Sequence, residues 1–279
     1  MSTAGEGRSV RLVREGSVAR IALARPEVRN AFDDALIAEL TRTFLEIAAD
    51  RQIRAVVLSG EGPAFCAGAD IGWMRRAGSY SPEENEADAE RMANMLAAID
   101  SCPKPVVVVA HGAAIGGGVG LVAAGDIAIA AEDTVFSLAE VKLGILPSVI
   151  SPYVLRAIGA RQARRYFLTG ERFDAREARR IGLVHAVAPA GELAGVSDGF
   201  VASLLSAGPE AIGIAKRLIG EVAGKRPEDA TSLTVKTIAE RRASAEAKEG
   251  LSAFLEKRPP SWAIREESKV QGPRSKVKD

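Results

Sequence analysis

Histidine and cysteine are scarce in this chain. Its 279 residues contain two histidines, His111 and His185, and two cysteines, Cys66 and Cys102. That leaves little to build a histidine-rich metal site, and neither Cys-x-x-Cys nor His-x-x-x-His spacing occurs. Two cysteines make no disulfide framework, and Cys102 is expected to be a buried structural thiol. Long apolar runs are missing as well, none reaching the ~18 residues that a membrane-spanning helix needs. Met1 to Arg8 lacks the apolar stretch of a signal peptide, so the expected compartment is the cytoplasm. An excess of one charge is also absent. The formal net charge of +1 gives no reason to expect a nucleic acid or a membrane surface as partner. No internal repeat or low-complexity tract stands out. No Gly-Lys-Ser/Thr follows the glycine run, no Gly-x-Ser-x-Gly exists, and the dinucleotide glycine spacing is incomplete.

What is present describes an ordinary soluble domain, with 47% apolar and 26% charged residues. The length allows one large domain, or a core with an appendage. Val10 to Arg14 and Val18 to Ala22 read as strands around a Glu15-Gly16 turn. Asp33 or Asp34 caps an expected helix through Asp50, with Ile37, Leu40, Phe44 and Ile47 near helical spacing. Ile53–Leu58, Pro105–Ala110 and Ile127–Ala130 are apolar runs that read as buried strands. A glycine-rich loop is expected from Gly60 to Gly72. Ser81-Pro82-Glu83-Glu84 is a helix start with a capping box, and Met92, Met95, Leu96 and Ile99 form an apolar stripe behind it. This alternation predicts an α/β core. From about Ala202 the pattern turns helical, with one helix around Ile212–Val222 and another from Ser232 to Ala247.

Two glycine-containing loops each follow a buried strand: Phe65-Cys66-Ala67-Gly68-Ala69-Asp70 and Ile115-Gly116-Gly117-Gly118-Val119-Gly120. If the two strands are neighbours, both loops open at one sheet edge, and two backbone N–H groups can converge on one oxygen. A glycine turn that opens a helix supplies free N–H groups and the positive end of the helix dipole. On spacing alone, two tight packing turns explain these loops equally well. Glu140 lies twenty residues beyond Gly120.

Taken in order, several segments resemble one family. They are Arg25-Pro26-Glu27-Val28-Arg29-Asn30-Ala31-Phe32, Phe65 to Ile71, His111-Gly112 with Gly116-Gly117-Gly118, and Phe136 to Gly144 with Pro147. The chain resembles the enoyl-CoA hydratase/isomerase family, the crotonase superfamily, from about Arg8 to Trp262. The resemblance implies an α/β fold, a crotonase-like spiral of ββα units with a helical C-terminal trimerisation region. With it, residues 1–201 are expected to be the spiral core and 202–264 a helical oligomerisation region, while residues 265–279, charged and nearly devoid of apolar side chains, are expected to be a mobile tail. Members form trimers or dimers of trimers and bind acyl-CoA thioesters. The implied oxyanion donors are the N–H groups of Ala69 and Gly117. No cofactor is implied beyond the coenzyme A carried by the substrate, and no metal, nucleic acid or membrane partner.

Hydratases of this family often hold water between two glutamates. The first would fall at Gly120, which has no side chain, and the second falls at Glu140. The resemblance therefore implies a single catalytic carboxylate. Gly118-Val119-Gly120-Leu121 with Ile145 to Tyr153 is similar to bacterial methylglutaconyl-CoA hydratases of leucine breakdown. Ser148 stands where a glycine usually lies, its N–H available to the water. The family's substrate-binding positions fall at Glu27, Val28, Arg29, Ala31, Ala67, Asp70, Ile71, Gly116 and Gly120, with Arg29 near a phosphate. Phe254 and Lys257, in the closing helix, are implied to complete the nucleotide site of a neighbouring subunit. Arg75 and Arg76 are candidates for a distal substrate carboxylate, and Trp73 and Met74 for shaping the acyl pocket. The expected activity is hydration of a branched α,β-unsaturated acyl-CoA such as 3-methylglutaconyl-CoA. The alternatives are an isomerase or decarboxylase on the same fold, and a noncatalytic acyl-CoA binding subunit.

Overall fold

The computed structural model describes residues 9–263. The expectations for Met1 to Arg8 and for the tail 265–279 lie outside the described residues. The chain opens with an antiparallel hairpin of β1 (Val10–Glu15) and β2 (Val18–Leu23). Helix α1 (Asp34–Ala49) follows, capped by Asp33, whose side chain accepts from Leu36 N–H at 2.8 Å. Its buried Leu36, Ile37, Leu40, Phe44 and Ile47 carry the expected stripe. Next come β3 (Ala55–Gly60), α2 (Ile71–Ala77) and α3 (Pro82–Asp100). Helix α3 starts at the Ser81/Glu84 capping box that the sequence predicts. The helix α2 lies inside the expected Gly60–Gly72 loop by two residues, because Asp70 caps it.

Strands β4 (Val106–Ala110) and β5 (Ala113–Ile115) then lead into α4 (Gly117–Ala124). They are followed by β6 (Ile127–Ala131), β7 (Val135–Ser137), a 3-10 turn over Ala139–Leu143, and α5 (Ser151–Thr169). After β8 (Arg172–Asp174), α6 (Ala175–Arg180) and β9 (Ala186–Ala188), the chain is helical. These helices are α7 (Leu193–Ser206), α8 (Pro209–Val222), α9 (Pro227–Ala243) and α10 (Ala245–Leu255). Position 202 lies within α7. The single helix expected from Ser232 to Ala247 is two, since Ser244 adopts an extended conformation (ψ 156°) and its hydroxyl caps α10.

The main sheet has the order β1-β2-β3-β4-β6-β9, parallel from β2 onward. A smaller sheet has the order β5-β7-β8. This is the expected α/β architecture, and β3 and β4 are buried valine-rich strands covered on both faces. They pair in parallel, Val56 with Val106 through Leu58 with Val108, so the loops that follow them open at one edge. Helix α7 packs on one face of this sheet through Leu193 and Val201, and the chain around α8 reaches the other end of the strands. Arg54, just before β3, donates to the carbonyl oxygens of Leu205 (2.6 Å), Ala207 (2.9 Å) and Trp262 (2.7 Å). Lys216 on α8 pairs at 2.7 Å with Asp126, whose carboxylate accepts the Val106 N–H at the start of β4. No helix among the described residues is long and apolar enough to cross a membrane.

Candidate active site

Main-chain hydrogen bonds lace the two glycine loops together. Cys66 N–H donates to Ala113 O at 3.0 Å, and Ile115 N–H donates back to Cys66 O at 2.9 Å. Phe32 crosses the first loop, donating to Gly68 O at 2.7 Å and accepting from Asp70 N–H at 2.8 Å. These bonds occupy both neighbours of Ala69 and leave the Ala69 N–H without an acceptor among the described residues. In the second loop, Gly116 O accepts the N–H groups of Val119 and Gly120. The N–H of Gly117, the first residue of α4, has no acceptor among the described residues and lies at the positive end of that helix.

The small sheet delivers the carboxylate. Ile115 pairs with Ser137, and Gly116 N–H donates to Ser137 O at 2.8 Å. Three residues beyond Ser137, Glu140 lies in the 3-10 turn against Gly116. A Cβ on Gly116 would stand 2.9 Å from Glu140 Oε1, and its φ of +52° favours glycine independently. Glu140 Oε2 is buried with no hydrogen-bond partner among the described residues. Burial pushes this carboxyl above the usual glutamate range, and its own backbone N–H offsets part of the effect. An unpartnered buried carboxylate is costly in a core and is a recognised mark of a functional site.

The surroundings are apolar. A Cβ on Gly117 would meet Phe32 Cε2 at 2.7 Å and Met92 Cε at 2.8 Å. At Gly120 it would meet Ile150 Cγ2 at 2.3 Å. Ile150, 2% exposed, thus fills the space that a side chain at position 120 would need, and no second carboxylate fits there. Cys66 beneath the loops is buried, and desolvation raises its thiol to about 12, so it stays protonated. Cys102 is buried as expected.

The Arg25–Ala31 turn is braced against the first loop by residues that the sequence reading passed over. Asn30, fully buried, donates to Glu61 O and Ala64 O at 2.8 Å each and accepts from Arg25 N–H. Ala67 N–H donates to Arg29 O at 3.0 Å. Glu27 and Arg29 are exposed, Val28 half-buried and Ala31 buried. A polar Asn directly before the apolar pair Ala31-Phe32 was the available signal.

Other predicted residues divide clearly. Asp70 is engaged internally, capping α2 through Gly72 and Trp73 N–H and lying 3.6 Å from Arg25. Ile71 is exposed beside it. Ser148 is exposed, and its N–H is given to Leu146 O at 2.8 Å, so it is not available to a water as expected. Arg76 pairs with Asp34 at 2.8 Å, whereas Arg75 is exposed with no ion-pair partner among the described residues. Trp73 is buried and Met74 exposed. Phe254 and Lys257 are exposed on and just beyond α10, which packs against α9 and, through Glu246, holds the first turn of α8, close to the Ala207 carbonyl that Arg54 binds at the other end of the sheet. A cleft of about 840 Å³ opens at that opposite end, but its Asp126 and Asp100 are already paired with Lys216 and Arg156.

This fold, with one half-buried carboxylate against a glycine turn, places the molecule among the crotonase-like enzymes. An enoyl-CoA hydratase from Shewanella pealeana superposes with a TM-score of 0.89 at 39% identity, covering 92% of this chain and 97% of that one. Pseudomonas aeruginosa AtuE matches with a TM-score of 0.89 at 37% identity, covering 92% and 100%. A Thermus thermophilus relative, named as a candidate enoyl-CoA hydratase, is 34% identical over 250 residues, covering 90% of this chain and 99% of its own. The model of the enoyl-CoA hydratase/isomerase family matches residues 13–265, and the chain belongs to that family.

Proposed function

We propose that this enzyme adds water across an α,β-unsaturated acyl-CoA, 3-methylglutaconyl-CoA or a related branched thioester, with Glu140 as its single acid–base group. The observation that carries this reading is the buried, unpartnered Glu140 Oε2 beside the Gly116–Gly117 turn. Ionised Glu140 takes a proton from water as the water oxygen bonds to the β-carbon. The alkene electron pair moves into an enolate, with the charge on the thioester oxygen. The same carboxyl returns the proton to the α-carbon, so both parts of water are accounted for and Glu140 ends ionised. The N–H groups of Ala69 and Gly117 receive the oxyanion. Being fixed and otherwise unspent, they stabilise the transition state more than the ground state.

No cofactor is needed beyond the coenzyme A carried by the substrate, because proton transfer to and from an enolate calls for none. Its pantetheine and adenine would lie along Glu27, Val28, Ala31 and Ala67, with Arg29 near a phosphate. Ile71, Gly116 and Gly120 would border the acyl group, and Asp70 would hold the loop. Phe254 and Lys257 would serve a neighbouring protomer's nucleotide site in a homotrimer or homohexamer, which their exposure supports. The walls of Phe32, Met92 and Ile150 suit a methyl branch, and exposed Arg75 suits a distal carboxylate. Such a substrate belongs to leucine breakdown, and the enzyme would act in the cytoplasm.

Ile150 in the place of a second carboxylate favours one rival, isomerisation through the same enolate. Both are tested by turnover of crotonyl-CoA, 3-methylcrotonyl-CoA and 3-methylglutaconyl-CoA in ¹⁸O-labelled water. Hydration with label uptake and preference for the glutaconyl ester is expected. Preference for crotonyl-CoA overturns the substrate assignment, and bond migration without label overturns hydration.

A further inference from the structure

We infer that Asp88 and Trp73 are positioning residues, through a ring of side chains that clamps α2 and so fixes the peptide carrying the Ala69 N–H. The inference rests on the oxyanion role proposed for Ala69. Asp88 lies four residues before Met92, on the face of α3 that otherwise carries the apolar stripe, and is 7% exposed. A carboxylate on such a face is costly unless it is partnered. Its partners are specific. Asp88 Oδ1 accepts the indole N–H of Trp73 at 3.3 Å and Arg91 Nη2 at 2.6 Å. Arg91 lies 3.8 Å from Asp34, which accepts from Arg76 at 2.8 Å. Trp73 and Arg76 are three residues apart on α2, so the ring closes on one face of that helix.

Helix α2 needs such a clamp. It spans 7 residues, too few to hold its own orientation. Its first turn is fixed by Asp70, which is held by Arg25, itself paired with Asp33 at 2.9 Å. The Gly68–Ala69 peptide, which carries the Ala69 N–H, is held at its carbonyl by the Phe32 N–H, and the next peptide, Ala69–Asp70, is held by Phe32 O and leads directly into α2. A rotation of α2 would tilt the Ala69 N–H, and displacements of about 1 Å in such a site cost about 10²-fold in rate.

The test compares Asp88→Ala, Asp88→Asn and Trp73→Phe with the unaltered enzyme. It measures kcat and KM on the preferred enoyl-CoA and the infrared carbonyl stretch of bound ¹³C-labelled butyryl-CoA. A donor aimed at the oxygen lowers that frequency. Asp88→Ala and Trp73→Phe are expected to lose about 10- to 100-fold in kcat with KM little changed, and to lose much of the frequency shift. Asp88→Asn keeps an acceptor for the indole and is expected to recover the greater part of both. Trp73→Phe keeps the ring in the core, so it decides the matter if Asp88→Ala does not fold. Variants with lowered thermal midpoints but unchanged kcat and carbonyl frequency overturn the clamp. An unaltered enzyme that neither turns over an enoyl-CoA nor shifts the carbonyl refutes the oxyanion reading itself.

Discussion

At the scale of single residues, the site is a balance between a carboxylate that burial disfavours and the turn that accommodates it. Glu140 must be ionised to accept a proton from water, and burial raises its pKa. Hydration is therefore expected to be lost as pH falls through an apparent pKa above the ordinary glutamate value of about 4.3, a profile that kcat/KM against pH measures. Gly120 and Ile150 form a second matched pair. Gly120→Ala would drive a methyl into Ile150 Cγ2 and should cost about 1–3 kcal/mol of stability in denaturant unfolding. Adding Ile150→Ala removes the obstructing methyl and should recover part of it. Little of this was legible in isolation. Glu140 is one of 36 acidic residues, and only the order of motifs along the chain singled it out. That Ser148 spends its N–H on Leu146 O depends on a local turn that residue identity does not encode.

At the scale of elements, legibility followed length and chemistry of the ends. The caps at Asp33 and Ser81 were readable because an acceptor side chain before an apolar stripe has one favourable use. Ser81→Ala is expected to cost about 1 kcal/mol in unfolding free energy while leaving kcat unchanged. A larger loss of activity would mean that α3 shapes the site more directly. The long valine-rich strands β3 and β4 were also readable. Strands β5, β7 and β8 were not, since three residues are too few to display a period. Yet this small sheet carries Gly116 and Glu140 to each other. The break at Ser244 was missed because its neighbours are good helix formers and only the hydroxyl cap marks it.

At the scale of the whole molecule, the parallel order of β3 and β4 turns two separate loops into one site. The sequence could state this only as a condition, because strand adjacency is a long-range pairing. The remote C-terminal helices expose Ile219, Val235, Ile238, Leu251, Phe254 and Leu255. Apolar side chains exposed in that number on three successive helices suit a partner surface. Sedimentation is expected to give a mass of three or six times the 29.3 kDa protomer, and a monomer at micromolar concentration would contradict the proposed assembly. The central claim is that one carboxylate, Glu140, performs the proton transfers of hydration. Its most direct test is the hydration rate of Glu140→Gln on the preferred enoyl-CoA, since the amide keeps the shape and cannot shuttle the proton. The rate is expected to fall by about 10²–10⁴-fold with the fold intact. A rate within a few-fold of the unaltered enzyme would contradict the account.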